Sequence, residues 1–445
     1  MHNAIQLSDH FSIKRMLRFT MPTIGMMIFS SIYSVIDGFF ISNFAGKTEF
    51  AAINIIFPVL MIISSSGFML GSGGTVLVAK TLGEGDREKA NRIFSLLIYF
   101  SLVVGVILSA ISIIFLPTIA RMIGTSEHLL PYALLYGRIF LIAMPFFLLQ
   151  CEFQSYCITA EKPRLGFLIT FIAGMTNIIL DAVLVGYLKL GLKGAAAATA
   201  ASMAVGGLVP FIYFARKNSS LLQLCRTKFK SKYILRSCFN GSSELMSNIS
   251  SSVIGMLYNF QLMRYIGEDG VAAYGVMMYM NFIFVAIFIG FSMGMSPVVG
   301  FNYGAANSSE LKSILQKSIL VLTVTSIAMT LLAIALAPAI ANIFTGYDEK
   351  LYSLTLQAFR ICSLSFLLVG FNIFGSAFFT GLNNGLVSAA ISFLKTLLFQ
   401  IAAVIILPMI FGVNGIWFSV VASEVAAVIV TEIFFIANRN KYHYF

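Results

Sequence analysis

The chain has 445 residues, of which 58% are hydrophobic and 11% are charged, and its mean hydropathy is +0.91. A soluble domain carries about 25% charged residues, so this composition excludes a water-soluble globular enzyme of this size. Abundant Phe, Met and Tyr exclude a disordered chain. The chain has a net charge of +11. In a polytopic membrane protein, basic residues usually lie in the cytoplasmic loops, so we expect no binding to nucleic acid.

Apolar stretches separated by polar breaks predict twelve membrane-spanning helices. A helix that crosses a bilayer needs about 20 largely apolar residues, and the chain is long enough for twelve of them with short loops. The fold class is therefore all-α, polytopic and embedded in the lipid bilayer. The predicted spans are 17–44, 52–80, 91–116, 131–158, 164–188, 193–215, 233–264, 272–302, 312–345, 352–380, 384–410 and 414–437.

Lysine and arginine residues are distributed unequally between the two sides of these spans. The side with both termini carries 20 of the 29, the other side carries 8, and Lys395 stands alone inside a span. Because basic residues mark cytoplasmic loops, we expect both termini in the cytoplasm.

An internal repeat divides the chain into two halves around one long polar break. A shift of 221 residues aligns glycines and prolines along most of each half. The aligned pairs include Gly46 with Gly267, Gly83 with Gly304, Pro117 with Pro338, Gly191 with Gly412 and Gly194 with Gly415. Since six spans is an even number, the repeats share one orientation, and a pseudo-twofold axis lies along the membrane normal. We predict an N-terminal six-helix lobe (1–215), a basic cytoplasmic linker (216–232) and a C-terminal six-helix lobe (233–445).

Several kinds of chemistry are missing from the sequence. The four histidines lie in termini or in a loop, the five cysteines lack metal-ligand spacing, and no phosphate-binding GxxxxGK[ST] loop occurs. We therefore expect no cofactor and no metal other than a transported ion. If the protein pumps, an ion gradient must supply the work.

Acids inside the spans are the strongest candidates for a functional site, because a charge in the bilayer is costly. Asp37 lies in the middle of the first span, and Asn177 and Asp181 lie four residues apart in the fifth. The i, i+4 spacing puts these two side chains on one helix face. Burial favours the protonated acid, so the three residues could hold a proton, and oxygen ligands equally suit sodium. Polar contacts between helices are the alternative interpretation.

Weaker candidates are spread over both halves. A substrate cavity could use Gln150, Glu152, Glu244, Met256, Tyr258, Phe260, Tyr279 and Lys395. Acids would favour cationic ligands, flexible methionines and aromatic rings would adapt to varied ones, and Lys395 would attract anions or balance an acid. Pro22 and Pro297 interrupt apolar runs and could act as gating kinks, although small-residue packing explains them equally well.

Five segments resemble the multidrug and toxic compound extrusion (MATE) family, and particularly its MepA-like bacterial multidrug branch. They are Met21-Pro22 with Val35 to Ile41, Leu82 to Asp86, Asn177 to Asp181, Gly270 to Val276, and Asn302 to Ala305. The resemblance implies a two-lobe antiporter of the bacterial plasma (inner) membrane, which exports cationic and amphipathic drugs in exchange for protons or sodium. By this resemblance, Asp37, Asn177 and Asp181 form the coupling site. Glu244 matches an acid of the NorM-like branch, but span ten has no acid to complete a second cation site.

Three other functions remain open from the sequence, of which a passive channel gains little support from the two-lobe repeat. A lipid-linked precursor flippase of the same superfamily would need a strongly basic cavity, and Lys395 is the one cation in the middle of a span. A polytopic membrane enzyme would need a catalytic His, Ser or metal cluster, which the histidine positions disfavour. No span has a pairing face beyond small-residue packing, so we expect a monomer.

Overall fold

The computed structural model describes residues 5–346 and 348–444, and the side chains of Ala45, Lys47 and Tyr279 lie outside the described part. All regular structure in the described ranges is helical. The α-helices are α1 (Ile13–Phe40), α2 (Lys47–Gly83), α3 (Arg87–Met122), α4 (Leu130–Thr159), α5 (Pro163–Leu180), α6 (Gly191–Ala215), α7 (Ser231–Asn240), α8 (Ser242–Tyr265), α9 (Glu268–Gly304), α10 (Ser308–Thr345), α11 (Glu349–Ser363), α12 (Phe366–Gly381), α13 (Gly385–Phe393), α14 (Gln400–Phe411) and α15 (Val413–Tyr442). Three π-helical segments continue these helices at Ile41–Ala45, Asp181–Tyr187 and Leu394–Phe399.

The helices confirm the predicted all-α membrane fold. Among the described residues, ten helices are long and apolar enough to cross a membrane, and an eleventh span forms if α11 and α12, bent by 48°, are taken together. The remaining predicted span corresponds to α7 and α8, which meet at Gly241. Serines and asparagines make α8 too polar for the same criterion, yet it packs against α2, α9 and α13 inside the bundle.

Several helices extend beyond the predicted spans because polar residues cap them outside the apolar run. The Asp86 side chain accepts the backbone N–H of Lys89 at the start of α3, and the Asn307 side chain accepts that of Glu310 at the start of α10. Such caps satisfy the free N–H groups of a first turn, so a helix can begin in water before it enters the bilayer. Hydrophobicity alone underestimates the length of these helices.

The structure reproduces the 221-residue repeat in its backbone. Helices α2 and α9 begin and end at positions 221 residues apart. Gly46 and Gly267 precede them with φ values of 122° and 89°, and Gly191 and Gly412 have φ values of 55° and 57°. These left-handed conformations strain residues with a Cβ, which explains why glycine occurs at the same place in both halves.

The two lobes meet closely where α2 crosses α9. We name the end of the bundle at which α2 and α9 end, near Gly83 and Gly304, the terminal face. A Cβ on Gly83 would lie 2.0 Å from the carbonyl oxygen of Phe301, and one on Gly304 would lie 2.0 Å from that of Lys80. The two contacts are related by the repeat, because Gly304 is equivalent to Gly83 and Phe301 is equivalent to Lys80. The pseudo-twofold axis therefore passes through this crossing, and glycine is required on both sides of it.

Flanking contacts extend the closed crossing to the neighbouring helices. A Cβ on Gly294 of α9 would lie 2.8 Å from the side chain of Thr20 on α1. The repeat-equivalent contact joins α2 to the α7–α8 junction, where a Cβ on Gly73 would lie 2.0 Å from the carbonyl oxygen of Ser237. Helices α1, α2 and α9 and the α7–α8 junction thus close the terminal face through close contacts at glycines.

The opposite ends of these helices are more open. Gly38 of α1, Gly255 of α8 and Gly275 of α9 lie toward that end. None of them has a described heavy atom, beyond its own helix neighbourhood, within 4 Å of an added Cβ. The lobes therefore pack tightly at the terminal face and separate toward the opposite face.

The segment before α1 connects the lobes across the terminal face. The backbone N–H of Leu7 donates to Glu161 in the α4–α5 loop at 2.7 Å, and that of Phe11 donates to Glu310 of α10 at 2.8 Å. Lys317 also donates to the carbonyl of Phe11 at 2.7 Å. These bonds tie a loop of the first half to α10 of the second while the terminal face is closed.

Candidate functional site

Helices α1 and α5 bring Asp37, Asn177 and Asp181 together, as the sequence predicted. The helices approach closely because Gly174 of α5 lies against the ring of Phe29, where a Cβ would be only 2.5 Å away. Asn177 and Asp181 are one helical turn apart, and the carboxyl group of Asp37 faces both of them from α1. We refer to Asp37 and Asp181 as the acid pair.

Both acids lie at or near irregular helix geometry. Asp181 is the first residue of the π-helical segment Asp181–Tyr187, and the π-helical segment Ile41–Ala45 begins one turn after Asp37. The two segments contact each other. Since π-helical turns frequently mark functional sites, the local backbone is consistent with a site rather than with simple helix packing.

Most polar atoms of the acid pair and of Asn177 lack hydrogen-bond partners in the described part of the chain. Within the described residues, one oxygen of Asp37, both carboxylate oxygens of Asp181 and the amide nitrogen of Asn177 are buried without a bonded partner. Asn177 is 2% exposed and Asp181 is 0% exposed. Two adjacent buried carboxylates repel each other, and a bound proton or a small cation relieves both the repulsion and the desolvation cost. The arrangement can therefore take up and release one or more cations.

Two tyrosines that sequence reasoning missed surround the acid pair. Tyr136 of α4 is buried close to both acids, and Tyr33 of α1 lies close to Asp37. The sequence alone could have identified Tyr33, because it precedes Asp37 by four residues and therefore lies on the same helix face. Nothing local identifies Tyr136, which reaches the site only through the packing of α4.

Gln150 and Glu152 lie elsewhere in the N-terminal half. The Gln150 side chain packs against Gly206 of α6. Glu152 is 0% exposed between α3 and α4, where the Ser101 hydroxyl donates to one of its carboxylate oxygens. Gln150 lines a narrow pocket together with Cys157 and Thr170, and the roles of Gln150 and Glu152 in substrate binding stay predictions.

The candidate cavity residues of α8 separate onto two faces. Met256 and Phe260 share an exposed face, at 58% and 65% exposure, and are free to contact a substrate or lipid. Tyr258 points the other way, is buried, and forms a hydrogen bond of 2.6 Å with Ser419 of α15. Glu244 lies in the first turn of α8 and is partly buried. The side chain of Tyr279 lies outside the described residues, so its role stays a prediction.

Lys395 is paired with an acid that sequence reasoning missed. Its ammonium group lies 3.0 Å from Glu424 of α15. The Asn372 amide donates to the second Glu424 oxygen at 2.7 Å, and the Thr431 hydroxyl donates to Asn372 at 3.1 Å. We refer to these four residues as the ion-pair cluster. The signal for Glu424 was available, because it is an acid within the apolar stretch 414–437, as Asp37 is within 17–44.

Both candidate gating prolines lie within helices that join the two halves. Pro22 is in α1 between Thr20 and Thr23, whose side chains lie against Gly294 of α9. Pro297 follows on α9 three residues later. They lie at the interface that would have to rearrange in a gating motion, and their gating roles stay predictions.

Solved structures of known transporters share this fold. A structure described as an outward-facing conformation of a multidrug resistance MATE family transporter aligns with a TM-score of 0.93, at 23% identity, over 100% of this chain and 99% of that one. A MATE structure in complex with MaL6 aligns with a TM-score of 0.93, at 22% identity, over 100% of both chains. At these identities the similarity supports the fold alone.

Curated relatives and a family model match the sequence. The multidrug export protein MepA of Staphylococcus haemolyticus is 27% identical over 432 residues, covering 96% of this chain and 94% of that protein. MepA of Staphylococcus saprophyticus is 25% identical over 407 residues, covering 91% of this chain and 88% of that protein. The MatE family model matches twice, at residues 22–183 and 245–406, once in each half. The chain therefore belongs to the MatE family.

Proposed function

We propose that this protein is a cation-coupled multidrug exporter of the bacterial plasma membrane. It exchanges cationic and amphipathic drugs for protons or sodium, acts as a monomer without a resident cofactor, and is not an enzyme. The N-terminal lobe (1–215) and the C-terminal lobe (233–445) rock against each other, joined by the linker 216–232. The names of the Staphylococcus relatives support the substrate class.

The acid pair is the observation that carries this proposal. Within the part of the chain that the structure describes, this lobe buries two facing carboxyl groups, and three of their four oxygens lack a bonded partner, so a bound cation relieves a desolvation and repulsion cost. Asn177 adds an amide oxygen, which suits sodium, and its N–H groups suit a deprotonated acid. Cation binding and release therefore change the free energy of this lobe, which is the requirement for coupling.

The closed terminal face assigns the conformational state within this proposal. The unequal distribution of Lys and Arg supports a cytoplasmic terminal face. Its closure at Gly83 and Gly304 then makes the structure outward-open. A ligand shifts a two-state equilibrium only by its differential affinity, so drug and cation must favour opposite states. Cation entry from outside at the acid pair would return the protein toward the inward-open state.

Transport by purified protein in vesicles tests the proposal. We expect uptake of ethidium, a lipophilic monocation, to follow an imposed proton or sodium gradient in the unmodified protein. Asp37→Asn should reduce gradient-driven uptake by about tenfold or more, because an amide cannot exchange the coupling cation as a carboxyl group does.

Glu127→Gln is the matched control, because it removes an acid from the exposed α3–α4 loop, where it pairs with Arg121. It should transport as the unmodified protein does. Gradient-driven uptake that survives Asp37→Asn would contradict the coupling role, and uptake insensitive to both gradients would contradict the antiporter.

The alternatives gain no support from the site. A flippase for lipid-linked pyrophosphates needs free positive charge in its cavity, whereas Glu424 balances the mid-span Lys395. A membrane enzyme needs a cluster of reactive side chains. His10 forms a hydrogen bond with Glu310, but this pair lies at the terminal face, where it links the N-terminal segment to α10. We therefore retain the exporter.

A further inference from the structure

We propose that Glu424 is a counter-ion for the positive charge of an organic cation, and that Lys395 is a tethered competitor that occupies this position in the drug-free protein. The proposal rests on the exporter function above and assigns a substrate subsite to the C-terminal lobe. The subsite would take lipophilic monocations and would not contribute to binding of neutral compounds.

The ion-pair cluster is built from three helical elements around one carboxylate. Lys395, in the π-helical segment Leu394–Phe399, binds one oxygen of Glu424 at 3.0 Å, and Asn372 of α12 binds the other at 2.7 Å. Thr431 fixes the Asn372 amide, so its N–H group points at the acid. Both groups that bind the Glu424 oxygens, the Lys395 ammonium and the Asn372 amide, favour an ionised carboxylate. Lys395 is the cation that a substrate would displace.

A purely structural role explains this cluster poorly. Replacing a buried ion pair by apolar residues of similar size is often neutral or stabilising, because the pair must first be desolvated. In a membrane interior the desolvation cost is greater, and intramembrane charges usually mark substrate or ion pathways. The α12–α15 contact would be satisfied by the apolar packing found elsewhere in these helices.

The cluster has no equivalent in the N-terminal half. At the positions related by 221 residues, Asn372, Lys395 and Glu424 are replaced by Cys151, Gly174 and Met203. Conversely, Tyr258 stands at the position equivalent to Asp37. Each lobe therefore carries its own intramembrane carboxyl chemistry, and a separate role for the C-terminal one follows.

The ammonium group of Lys395 indicates which ligand fits. It shows that a monocation is accepted 3.0 Å from Glu424, and a substrate cation that takes its place neutralises Glu424 once the Lys395 side chain has moved away. The Lys395 and Glu424 side chains remain 14% and 9% exposed, so the pair is not sealed. Lys395 also lies on a π-helical turn next to the polar helix α8, where a local change in hydrogen bonding can move it.

Equilibrium binding of ethidium to purified protein in detergent, without any gradient, tests this subsite. Lys395→Met removes the competitor, and we expect it to bind ethidium about tenfold more tightly. Glu424→Gln removes the counter-ion and leaves a repelling lysine, so its affinity should fall by at least about tenfold. The variant that combines Lys395→Met with Glu424→Gln contains no unpaired charge at this site. Its ethidium affinity should lie between those of the unmodified protein and Glu424→Gln, and it keeps the test valid if a single variant fails to fold.

Matched controls separate the subsite from general charge effects. Lys350 and Asp269 form a pair of 3.3 Å with exposed side chains, so Lys350→Met and Asp269→Asn should leave ethidium affinity unchanged. Nile red, a neutral dye, should bind all variants equally. Equal ethidium affinity in Lys395→Met and unmodified protein would overturn the proposal, as would equal ethidium affinity in Glu424→Gln and unmodified protein. Because no gradient is used, failure here leaves the exporter function to be judged separately by the Asp37→Asn transport experiment.

Discussion

The two lobes hold their buried carboxyl groups in opposite ways. In the N-terminal lobe, Asp181 has no bonded partner among the described residues and faces a second acid, Asp37. In the C-terminal lobe, both oxygens of Glu424 are bonded, one to Lys395 and one to Asn372. The repeat thus supplies one scaffold twice, while the intramembrane side chains differ.

This difference teaches how a duplicated fold can divide the work of antiport. In the proposed mechanism, a carboxyl group without a fixed partner takes one from solution, which would make the N-terminal lobe responsive to protons or sodium. A carboxyl group with a built-in ammonium partner is insensitive to those ions, but a ligand that competes with the ammonium can displace it. Under the two proposals above, the cation that drives transport and the cation that is transported would bind in different lobes.

The comparison predicts opposite effects on stability when each acid is neutralised, and this is the largest effect we expect. Glu424→Gln should lower the free energy of unfolding by about 3 kcal/mol, the lower end of the range for a broken buried pair, because the partly buried Lys395 would lose its partner. Asp181→Asn should raise it by about 1 kcal/mol, because an amide can donate to Asp37 where a second carboxylate repels it. Thermal unfolding of the detergent-purified variants measures both.

Glu432→Gln is the control for this pair of variants, because Glu432 lies on the same helix as Glu424 and is exposed. It should leave the unfolding midpoint unchanged. Destabilisation of equal size by Glu424→Gln and Asp181→Asn would mean that the two acids are held alike, and the comparison between the lobes would fail.

A smaller effect is expected from widening the α2–α9 crossing that joins the lobes. Gly83→Val and Gly304→Val each place side-chain atoms against a backbone carbonyl, which costs about 1–3 kcal/mol in a well-packed contact. Both should shift the equilibrium away from the closed terminal face. Because the two glycines are repeat-equivalent, their effects should be similar.

Distances between spin labels measure this shift. The labels would be attached at Glu88→Cys and Ser309→Cys, which are exposed, repeat-equivalent positions near the terminal face, after replacement of the native cysteines. Gly275→Val, in an open part of α9, is the control and should leave the distance distribution unchanged. Unchanged distances in Gly83→Val would exclude this crossing as the closed gate.

The sequence predicted the helical fold and the repeat well because both depend on strong, regular signals. Long apolar runs predict spans, and Gly46 and Gly267 recur because the backbone there needs a positive φ. Its weakest span prediction was 233–264, where the structure has two helices, and α8 gains its place from packing rather than from hydrophobicity. The bend between α11 and α12 also carried no clear signal.

The candidate site was predictable only where its residues are rare in a membrane or adjacent in sequence. Asp37 is conspicuous as an intramembrane acid, and Asn177 and Asp181 are neighbours on one helix. Tyr136 joins them through the packing of α4, and Asn372 joins Glu424 across two helices. Such partners depend on tertiary structure, which periodicity and composition do not encode.

The release of cations on drug binding tests the central claim most directly. When ethidium binds to purified protein in weakly buffered detergent, a pH indicator or a sodium electrode counts the ions released, since linkage makes the drug and the coupling cation displace each other. We predict release from the unmodified protein and from Glu432→Gln, and none from the variant that combines Asp37→Asn with Asp181→Asn, at ethidium concentrations that saturate each protein. Equal release from that double variant would contradict the assignment of the coupling cation to the N-terminal lobe.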